Sequence, residues 1–305
     1  MDLLYILENL RMPWLDSVMS AITNLGGETV FMALAMLVFW CVSKNLGYYM
    51  LTVGFSGTLV NQFLKIVCRI PRPWVLDPDF TIVESARAEA TGYSFPSGHT
   101  QTVLATLGCP ARWSKRAPVR WLCAAGIVLT AFSRMYLGVH TPADVGVSLL
   151  IGLVLVFALY PVFMDAEGRP GRMYAVLGVM LALSGAYCAF VSLHVWPADI
   201  DGENLASAVK NGWTMLGAVA GMLLAFFLDT RYVRFSTAAP LWGQAVKTVL
   251  GLGLAVGIKA ALKAPLLALF GGHPAAHAVR YFLLVLFAAV LWPMTFRLFS
   301  PRKKR

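Results

Sequence analysis

The chain contains few charged residues: Asp, Glu, Lys and Arg together make up 13% of its 305 residues. A soluble globular domain has about 25% charged residues and about 45–50% apolar ones. Here 58% of the residues are hydrophobic, and the mean hydropathy is +0.69. The composition excludes an ordinary soluble domain and indicates an integral membrane protein built mostly of spanning helices.

Cysteine is also scarce, and no N-terminal leader pattern is present. The five cysteines lie in or beside apolar runs without metal-ligand spacing, so we expect neither a disulfide framework nor a metal site. The N-terminal stretch contains Asp2 and Glu8 and is interrupted by Pro13, which does not fit a cleavable signal peptide. The net charge of +10 lies in short loops between apolar segments, so it indicates membrane topology rather than nucleic-acid binding.

Nine apolar segments approach or reach the roughly 20 residues that a spanning helix needs. They are 26–42, 46–67, 98–113, 118–137, 142–164, 173–194, 208–228, 240–262 and 278–298. Residues 2–24 are amphipathic, and we interpret them as an interfacial helix pair, with a short span as the alternative. The sequence therefore predicts an all-α, polytopic transmembrane helical bundle. Its predicted parts are N-terminal interfacial or short spanning helices at 1–25, a core at 26–164 and additional C-terminal spanning helices at 165–305.

The loop charges predict an orientation for these nine spans. One set of loops, with the C-terminal tail, contains 14 basic residues and three acids, so we expect it to be cytoplasmic. The acids are Asp165, Glu167 and Asp229, and the bases are Lys44, Arg112, Lys115, Arg116, Arg120, Arg169, Arg172, Arg231, Arg234, Arg297, Arg302, Lys303, Lys304 and Arg305. The opposite side contains the other 12 acids and the three motifs described next. The site is thus predicted to face outward from a bacterial inner or plasma membrane.

The first motif is Lys65 followed seven residues later by Arg72. Pro71 and Pro73 on either side of Arg72 predict the end of a helix and a stiff turn. Phosphoryl transfer requires a fixed substrate and neutralised charge on the non-bridging oxygens. Arg72 can offer a planar fork to a phosphate, and Lys65 a point charge. Because charge at membrane depth is costly, such a cluster indicates function.

The second motif, Pro96-Ser97-Gly98-His99, opens the next predicted helix. Ser97 is a favourable N-cap residue, and Gly98 allows a ligand to approach the backbone closely. The free N–H groups at a helix N-terminus bind anions. His99 lies in the first turn, where we expect it to face the same anion.

The third motif runs from Ser133-Arg134 to His140 and Asp144. Arg134 offers a second guanidinium to a phosphate. His140 and Asp144 are four residues apart on one helix face, so the carboxylate can fix one imidazole tautomer. The other ring nitrogen is then free to attack phosphorus, and His99 is left to protonate the leaving group. The pattern predicts a two-step reaction through a phosphohistidine, with the cations in place of a metal or other cofactor.

These motifs resemble the signature of the type 2 phosphatidic acid phosphatase superfamily, which also includes bacterial acid phosphatases and vanadium haloperoxidases. The signature spacings K-x6-RP, PSGH and SR-x5-H-x3-D are matched throughout. The resemblance covers about 26–164 and implies a helical bundle core, whose first helix would be the segment 2–24. It implies that His140 is the nucleophile, His99 the acid and Asp144 the orienting carboxylate. It also implies that the phosphate is held by Lys65, Arg72, Ser97, Gly98 and Arg134.

The favoured function is a membrane phosphatase that acts on a lipid phosphate or diphosphate, because lipid tails can reach such a site from the bilayer. Candidate substrates are undecaprenyl diphosphate, phosphatidic acid, phosphatidylglycerophosphate and a sphingoid phosphate. A lipid phosphotransferase with a non-water acceptor is the first alternative. A non-catalytic transporter or scaffold is the second, and a vanadate-dependent haloperoxidase is disfavoured because a membrane enzyme has no obvious need for it.

Two further regions are singled out by the sequence. The stretch 74–95 is the longest predicted non-helical insert, and a loop of this length over a polar cluster is typical of a functional element. The C-terminal half has an outward polar group, which we interpret as interfacial anchors, with a second contact to a headgroup or pyrophosphate as the alternative. That group consists of Lys259, Lys263, His273, His277 and Arg280.

Overall fold

A computed structural model describes residues 1–165 and 168–298. All regular structure in these ranges is helical, which confirms the predicted all-α class. The predictions that involve Glu167 and the basic tail residues Arg302, Lys303, Lys304 and Arg305 lie outside the described residues.

The N-terminal half is made of helices of very different length. They are α1 (Asp2–Asn9), α2 (Pro13–Thr23), α3 (Glu28–Cys41), α4 (Lys44–Cys68), α5 (Pro73–Leu76), α6 (Gly98–Val103), α7 (Cys109–Trp113), α8 (Ala117–Tyr136) and α9 (Pro142–Met164). A π-helical turn at Leu104–Gly108 joins α6 to α7, so the predicted segment 98–113 is one helical stretch. The helix pair expected within residues 2–24 is observed as α1 and α2, which are connected by residues 10–12.

The C-terminal half continues with long helices. They are α10 (Pro170–Leu193), α11 (Gly202–Leu228), α12 (Leu241–Ala261), α13 (Lys263–Leu269), α14 (Ala275–Leu286) and α15 (Trp292–Met294). A π-helical turn at Phe287–Leu291 joins α14 to α15. Several helices begin at a proline, as α9 does at Pro142 and α10 at Pro170, because the fixed φ of proline suits the first helical position.

By length and hydropathy, the structure supports six or seven of the nine predicted spans. Within the described ranges, six helical segments are long and apolar enough to cross a membrane, or up to seven if α2 and α3, bent by 48°, count as one. The segments 98–113 and 118–137 are helical but do not meet this criterion. The first is built of short helices, and Arg120 and Arg134 lower the mean hydropathy of the second. The orientation inferred from nine spans therefore stays a prediction.

The insert 74–95 is less irregular than predicted. It contains most of α5, which starts at Pro73, and a 3-10 turn at Glu84–Ala86. The N-terminal helices hold its middle part in place. The Tyr5 hydroxyl donates to Asp77 at 2.7 Å, and the Arg11 guanidinium donates to the carbonyl oxygen of Thr81 at 2.9 Å.

The chain divides into two compact units. Unit 1 comprises Met1–Leu34, Tyr49–Pro161 and Asp199–Leu205, and unit 2 comprises Ala35–Tyr48, Val162–Ala198 and Ala206–Arg305. All three motifs lie in unit 1, where α8 packs against α1, α2 and α6. At Gly26 a Cβ atom would lie 2.5 Å from the carbonyl oxygen of His99, so only glycine fits this approach between the N-terminal segment and α6.

Unit 2 has its own core of aromatic rings and closely packed helices. The Trp40 indole donates to the carbonyl oxygen of Ala288 at 2.8 Å. Helices α11 and α14 approach so closely that a Cβ atom on Gly217 would lie 2.0 Å from the carbonyl oxygen of Ala278. This approach fixes the register of the two helices.

Candidate active site

Four helix ends in unit 1 supply the polar side chains predicted to form the site. Lys65 lies in the last turn of α4, Ser97 caps the N-terminus of α6, Arg134 lies in the last turn of α8, and Asp144 in the first turn of α9. All four side chains are buried. The predicted residues therefore come together through helix ends rather than through neighbouring positions on one helix.

His140 and Asp144 form the buried centre of the site. His140 is 2% exposed, and its Nδ1 lies 3.3 Å from Oδ2 of Asp144. The same oxygen accepts from the Ser94 hydroxyl at 2.5 Å and from the Thr141 backbone N–H at 2.8 Å. Because three donors converge on this oxygen, the carboxylate is held as an acceptor, and Nδ1 of His140 bears the proton.

Arg72 faces the other nitrogen of His140. Its Nη1 lies 3.0 Å from Nε2 of His140 and 2.9 Å from the carbonyl oxygen of Val139. An arginine can only donate, so Nε2 presents its lone pair to the guanidinium. The rest of the Arg72 fork donates to the carbonyl oxygens of Gly92 at 3.1 Å and Thr91 at 2.8 Å.

The electrostatic surroundings favour a neutral imidazole at His140. Burial is the largest cause that lowers the pKa of His140 below its ordinary value, and the positive charges of Arg72, Arg134 and Lys65 lower it further. A neutral ring has the unprotonated nitrogen that a nucleophile needs. With the proton on Nδ1, the unprotonated nitrogen of His140 is Nε2, which faces Arg72.

Lys65 reaches the same loop as Arg72. Its ammonium group donates to the carbonyl oxygens of Tyr93 and, at 3.4 Å, Ser94. The backbone from Thr91 to Ser94 therefore accepts hydrogen bonds from both cations of the first motif. Each of these carbonyl contacts is one that a phosphate oxygen can replace, since it also accepts from a guanidinium or ammonium group.

Arg134 is the cation of this site that has N–H donors without a hydrogen-bond partner among the described residues. Its side chain is buried, with 1% exposure, and Nη1 donates to the Thr23 hydroxyl at 2.7 Å. Its Nε and Nη2 are buried and have no hydrogen-bond partner in the part of the chain that the structure describes. Buried N–H groups are rarely left unpaired in proteins, because an unmade hydrogen bond costs about 1–3 kcal/mol. These two atoms point to an anionic ligand.

Ser97 and Gly98 have different places in the site. The Ser97 hydroxyl accepts from Thr100 and so caps α6, and its backbone N–H donates to the carbonyl oxygen of Asp144 at 3.1 Å. Ser97 therefore links the start of α6 to the start of α9. At Gly98 a Cβ atom would meet no described atom within 4 Å, which leaves room for a ligand beside the backbone.

His99 is paired with a loop carboxylate that the motifs do not include. Its Nε2 lies 2.9 Å from Oε2 of Glu89, whose side chain is 55% exposed, whereas that of His99 is 14% exposed. Glu89 belongs to the insert 74–95, so the loop predicted to overhang the polar cluster supplies a partner for the second histidine.

Glu89 and Ser94 are the site residues that motif reasoning missed. Both lie in the insert, at positions that no residue spacing singles out. The presence of a long loop with acidic residues beside a phosphate signature was the only available sign. Among the described residues, no three His, Cys, Asp or Glu side chains are grouped as metal ligands.

Comparison with protein families and curated proteins gives two matching regions. Residues 45–167 match the PAP2 superfamily model, and residues 213–304 match a model described as PAP2 superfamily phosphatase, transmembrane extension. The first match contains all three motifs, and the second lies in the C-terminal part for which the motifs imply no role. The protein is a multi-pass integral membrane protein, as its composition predicted.

Three curated relatives illustrate the range of similar proteins. Undecaprenyl-diphosphatase BcrC of Bacillus subtilis is 32% identical over 150 residues, which cover 48% of this chain and 74% of the relative. Phosphatidylglycerophosphatase B of Bacillus subtilis is 31% identical over 163 residues, covering 48% and 75%. Mouse sphingosine-1-phosphate phosphatase 2 is 23% identical over 224 residues, covering 71% and 59%. No solved structure matches the chain significantly.

Proposed function

The chain belongs to the PAP2 superfamily, and we propose that it removes phosphate from a membrane lipid phosphate or diphosphate through a phosphohistidine at His140. Membership makes it a hydrolase of phosphate esters, which confirms the enzyme class expected from the motifs. The observation that carries the proposal is the pair of contacts on His140, with Asp144 at Nδ1 and the Arg72 guanidinium at Nε2.

Three cations hold the phosphate in this proposal. Arg134 contributes its two unpaired nitrogens, while Arg72 and Lys65 exchange loop carbonyl oxygens for phosphate oxygens. The N-terminus of α6 at Gly98 adds backbone N–H groups. The combined charge neutralises the non-bridging oxygens, which is the main requirement of phosphoryl transfer.

In the first step, Nε2 of His140 attacks phosphorus, and the bond from phosphorus to the leaving oxygen breaks. His99 gives its proton to that oxygen, so that a lipid alcohol, or a lipid monophosphate from a diphosphate, departs. Burial and the charge of Arg134 lower the pKa of His99 to about 4 in the site without substrate, and the Glu89 carboxylate at 2.9 Å opposes this shift. The negative charge of a bound phosphate offsets the nearby cations and so favours the protonated His99 that this step needs. Asp144 stabilises the positive charge that develops on the His140 ring.

In the second step, water attacks the phosphohistidine on the side left open by the departed group. His99 now accepts a proton from the water, the bond between phosphorus and Nε2 breaks, and inorganic phosphate leaves. His140 returns to the neutral form with its proton on Nδ1, and His99 is again protonated. The same pair of histidines thus serves both steps.

The substrate class follows from the membrane setting of the site. The relatives named above act on undecaprenyl diphosphate, phosphatidylglycerophosphate and sphingosine-1-phosphate, according to their names. Their headgroups differ, but all three substrates are phosphates on long apolar chains. The charge distribution of the loops supports an extracytoplasmic site, reached by substrates from the outer leaflet.

The decisive activity test uses purified full-length protein in detergent with EDTA, and a panel of lipid phosphates and diphosphates. We expect phosphate release from one or more lipids by the wild type and none by His140→Ala, because that side chain forms the covalent bond. His194→Ala is the matched control, since it removes an exposed histidine outside the site. Turnover by His140→Ala at the wild-type rate would contradict the mechanism. Loss of turnover in EDTA would show that a metal is required. Transfer of the phosphoryl group to an added acceptor, in place of release of inorganic phosphate, would indicate a phosphotransferase.

The acid role of His99 has a separate test. His99→Ala is expected to lower turnover of a lipid phosphate by about 10²–10⁴-fold, because the leaving alkoxide then departs unprotonated. The loss is expected to be smaller for p-nitrophenyl phosphate, whose leaving group needs no proton. An equal loss on both substrates would exclude the acid role.

A further inference from the structure

We infer that Arg11, which belongs to none of the three motifs, is a positioning residue for the nucleophile. It holds the backbone that leads to His140, namely residues 136–139, which are named here the nucleophile turn. This role rests on the proposed function, because the position of the His140 ring matters for turnover if that ring attacks phosphorus. Arg11 lies between α1 and α2, and it belongs to unit 1 together with the whole nucleophile turn.

The nucleophile turn begins where α8 ends, so its carbonyl groups cannot all find partners within the helix. Its carbonyl oxygens accept hydrogen bonds from three other segments of the chain. The donors are the Arg11 side chain at Tyr136, the backbone N–H of Val83 at Leu137, and the Arg72 side chain at Val139. Of these three donors, Arg11 is the side chain that no motif includes.

Arg11 joins the nucleophile turn to the insert 74–95. Its Nε donates to the carbonyl oxygen of Tyr136 at 3.0 Å, and its Nη1 donates to the carbonyl oxygen of Thr81 at 2.9 Å. A planar guanidinium directs N–H groups to two carbonyl oxygens at fixed angles, which a lysine ammonium does not. Glu8 accepts from the backbone N–H of Thr81 at 2.9 Å. The end of α1 therefore connects the insert with the end of α8.

The nucleophile turn leaves space for the guanidinium at Gly138. This residue has a φ of +81°, and a Cβ atom there would lie 2.7 Å from Nη2 of Arg11 and 3.1 Å from the carbonyl oxygen of Thr81. Glycine is therefore required both by the backbone conformation and by the close approach. The third motif does not specify the five residues between Arg134 and His140, yet one of them fits the Arg11 side chain.

The contact between Arg11 and the nucleophile turn is buried. Tyr136 is 1% exposed, and the Arg11 side chain is 10% exposed. Hydrogen bonds from a charged donor are stronger than neutral ones, and the low dielectric of a buried site strengthens them further. The Tyr136 hydroxyl donates to Asp16 of α2 at 2.7 Å. The N-terminal helix pair thus holds Tyr136 both by its backbone and by its side chain.

The nucleophile turn transmits the position of Arg11 to the reacting ring. Its last carbonyl oxygen, that of Val139, lies 2.9 Å from Nη1 of Arg72, and the same nitrogen lies 3.0 Å from Nε2 of His140. A shift of the turn would move the ring relative to the phosphate. Attack requires reacting atoms about 3–3.5 Å apart, and a displacement of about 1 Å can lower turnover about 10²-fold. Arg11 therefore acts on the chemical step through the backbone.

The first test is steady-state kinetics of purified full-length variants on a lipid phosphate that the wild type hydrolyses. We expect kcat to fall by about 10²-fold in Arg11→Ala and by about tenfold in Arg11→Lys, which keeps the charge but not the planar fork. KM is expected to stay within about threefold, because Arg11 donates to Tyr136 and Thr81 and not to the phosphate. Arg87→Ala is the matched control, since it removes an exposed arginine of the insert.

The second test does not depend on turnover. Hydrogen–deuterium exchange with mass spectrometry measures how often the amides of the nucleophile turn open. In Arg11→Ala we expect these amides to exchange about tenfold faster than in the wild type, because loss of a buried charged hydrogen bond favours local opening. Exchange in α12 of unit 2 is expected to stay unchanged, and Arg87→Ala is expected to exchange as the wild type does.

Three kinetic results would overturn this role of Arg11: a wild-type kcat in Arg11→Ala, an equal loss in Arg87→Ala, or a change confined to KM. If Arg11→Ala does not fold, judged by gel filtration and circular dichroism, the same criteria apply to Arg11→Lys. If the wild type hydrolyses no lipid phosphate, the proposed function fails, and hydrogen exchange alone decides. Faster exchange then supports the hold of Arg11 on the nucleophile turn, and unchanged exchange overturns it.

Discussion

The site around Arg134 and the outward polar group that contains Arg280 differ in the residues that lie beside their cations. Arg134 in unit 1 and Arg280 in unit 2 are both buried, and both have donors without a described partner. In the site that contains Arg134, however, the His140 ring is paired with the carboxylate of Asp144. The outward polar group of the C-terminal half, which contains Arg280, has no such pair, because the histidine–carboxylate pairs among the described residues are those of His99 and His140. Clustered cations therefore indicate anion binding, and the histidine–carboxylate pair adds the capacity for chemistry.

After the loss of His140 itself, the largest expected effect comes from removing that carboxylate charge. Asp144→Asn keeps the shape but ceases to fix the proton on Nδ1 of His140, so the ring can turn its N–H toward phosphorus. By analogy with other histidine–carboxylate pairs, we expect turnover to fall by about 10⁴-fold. Steady-state kinetics on the preferred lipid measures this. A loss below tenfold, with the fold intact, would show that the carboxylate does not give this site its capacity for chemistry.

Removing a binding cation is expected to cost less. Arg134→Ala deletes the guanidinium with two unpaired nitrogens, and we expect kcat/KM to fall by about 10³-fold, as for other arginines that stabilise a transferring phosphoryl group. Arg134→Lys is expected to restore little, because a point charge cannot reproduce the planar fork. Arg231→Ala, which is exposed and outside both groups, controls for the loss of one charge. Equal kinetics for Arg134→Ala and Arg231→Ala would contradict this part of the account.

The smallest effect is expected at the loop carboxylate. Glu89→Gln keeps a hydrogen bond to His99 but removes the charge that favours its protonated form. A charge-assisted hydrogen bond contributes about 1.5–3 kcal/mol, and Glu89 is more than half exposed, so a loss of about tenfold on lipid substrates is expected. Glu84→Gln is the matched control, since Glu84 is an exposed loop acid that pairs only with Arg87 in the described residues. The same loss in both variants would remove any specific role for Glu89.

Much of the fold could be predicted because long apolar runs and prolines are local features. The predicted segments 142–164 and 240–262 agree with α9 and α12 to within a residue or two. The span count was less predictable, because the segment 98–113 combines short helices with a π-helical turn. Hydropathy alone does not separate such a stretch from a full span.

The site was predictable where chemistry fixes the spacing, and not where the backbone supplies the partner. The pairing of His140 with Asp144 could be foreseen from their spacing, but the expected reason, a shared helix face, was wrong. Helix α9 begins at Pro142, so His140 lies in the turn before the helix, and Asp144 in the first turn reaches back to it. The contacts of Arg72 to Thr91 and Gly92 depend on loop carbonyls, which every residue has. Likewise, Ser94 reaches Asp144 from 50 residues away, and no local pattern encodes that contact.

The measurement that tests the central claim most directly is the stereochemical course at phosphorus. The substrate is a lipid phosphorothioate that is chiral through two oxygen isotopes, and it is hydrolysed in water of the third isotope, so that the released thiophosphate is itself chiral. Two successive in-line displacements, first by His140 and then by water, predict net retention of configuration in the released thiophosphate. This result does not depend on whether the phosphohistidine accumulates. Net inversion would show a single direct attack by water and would contradict the covalent role of His140.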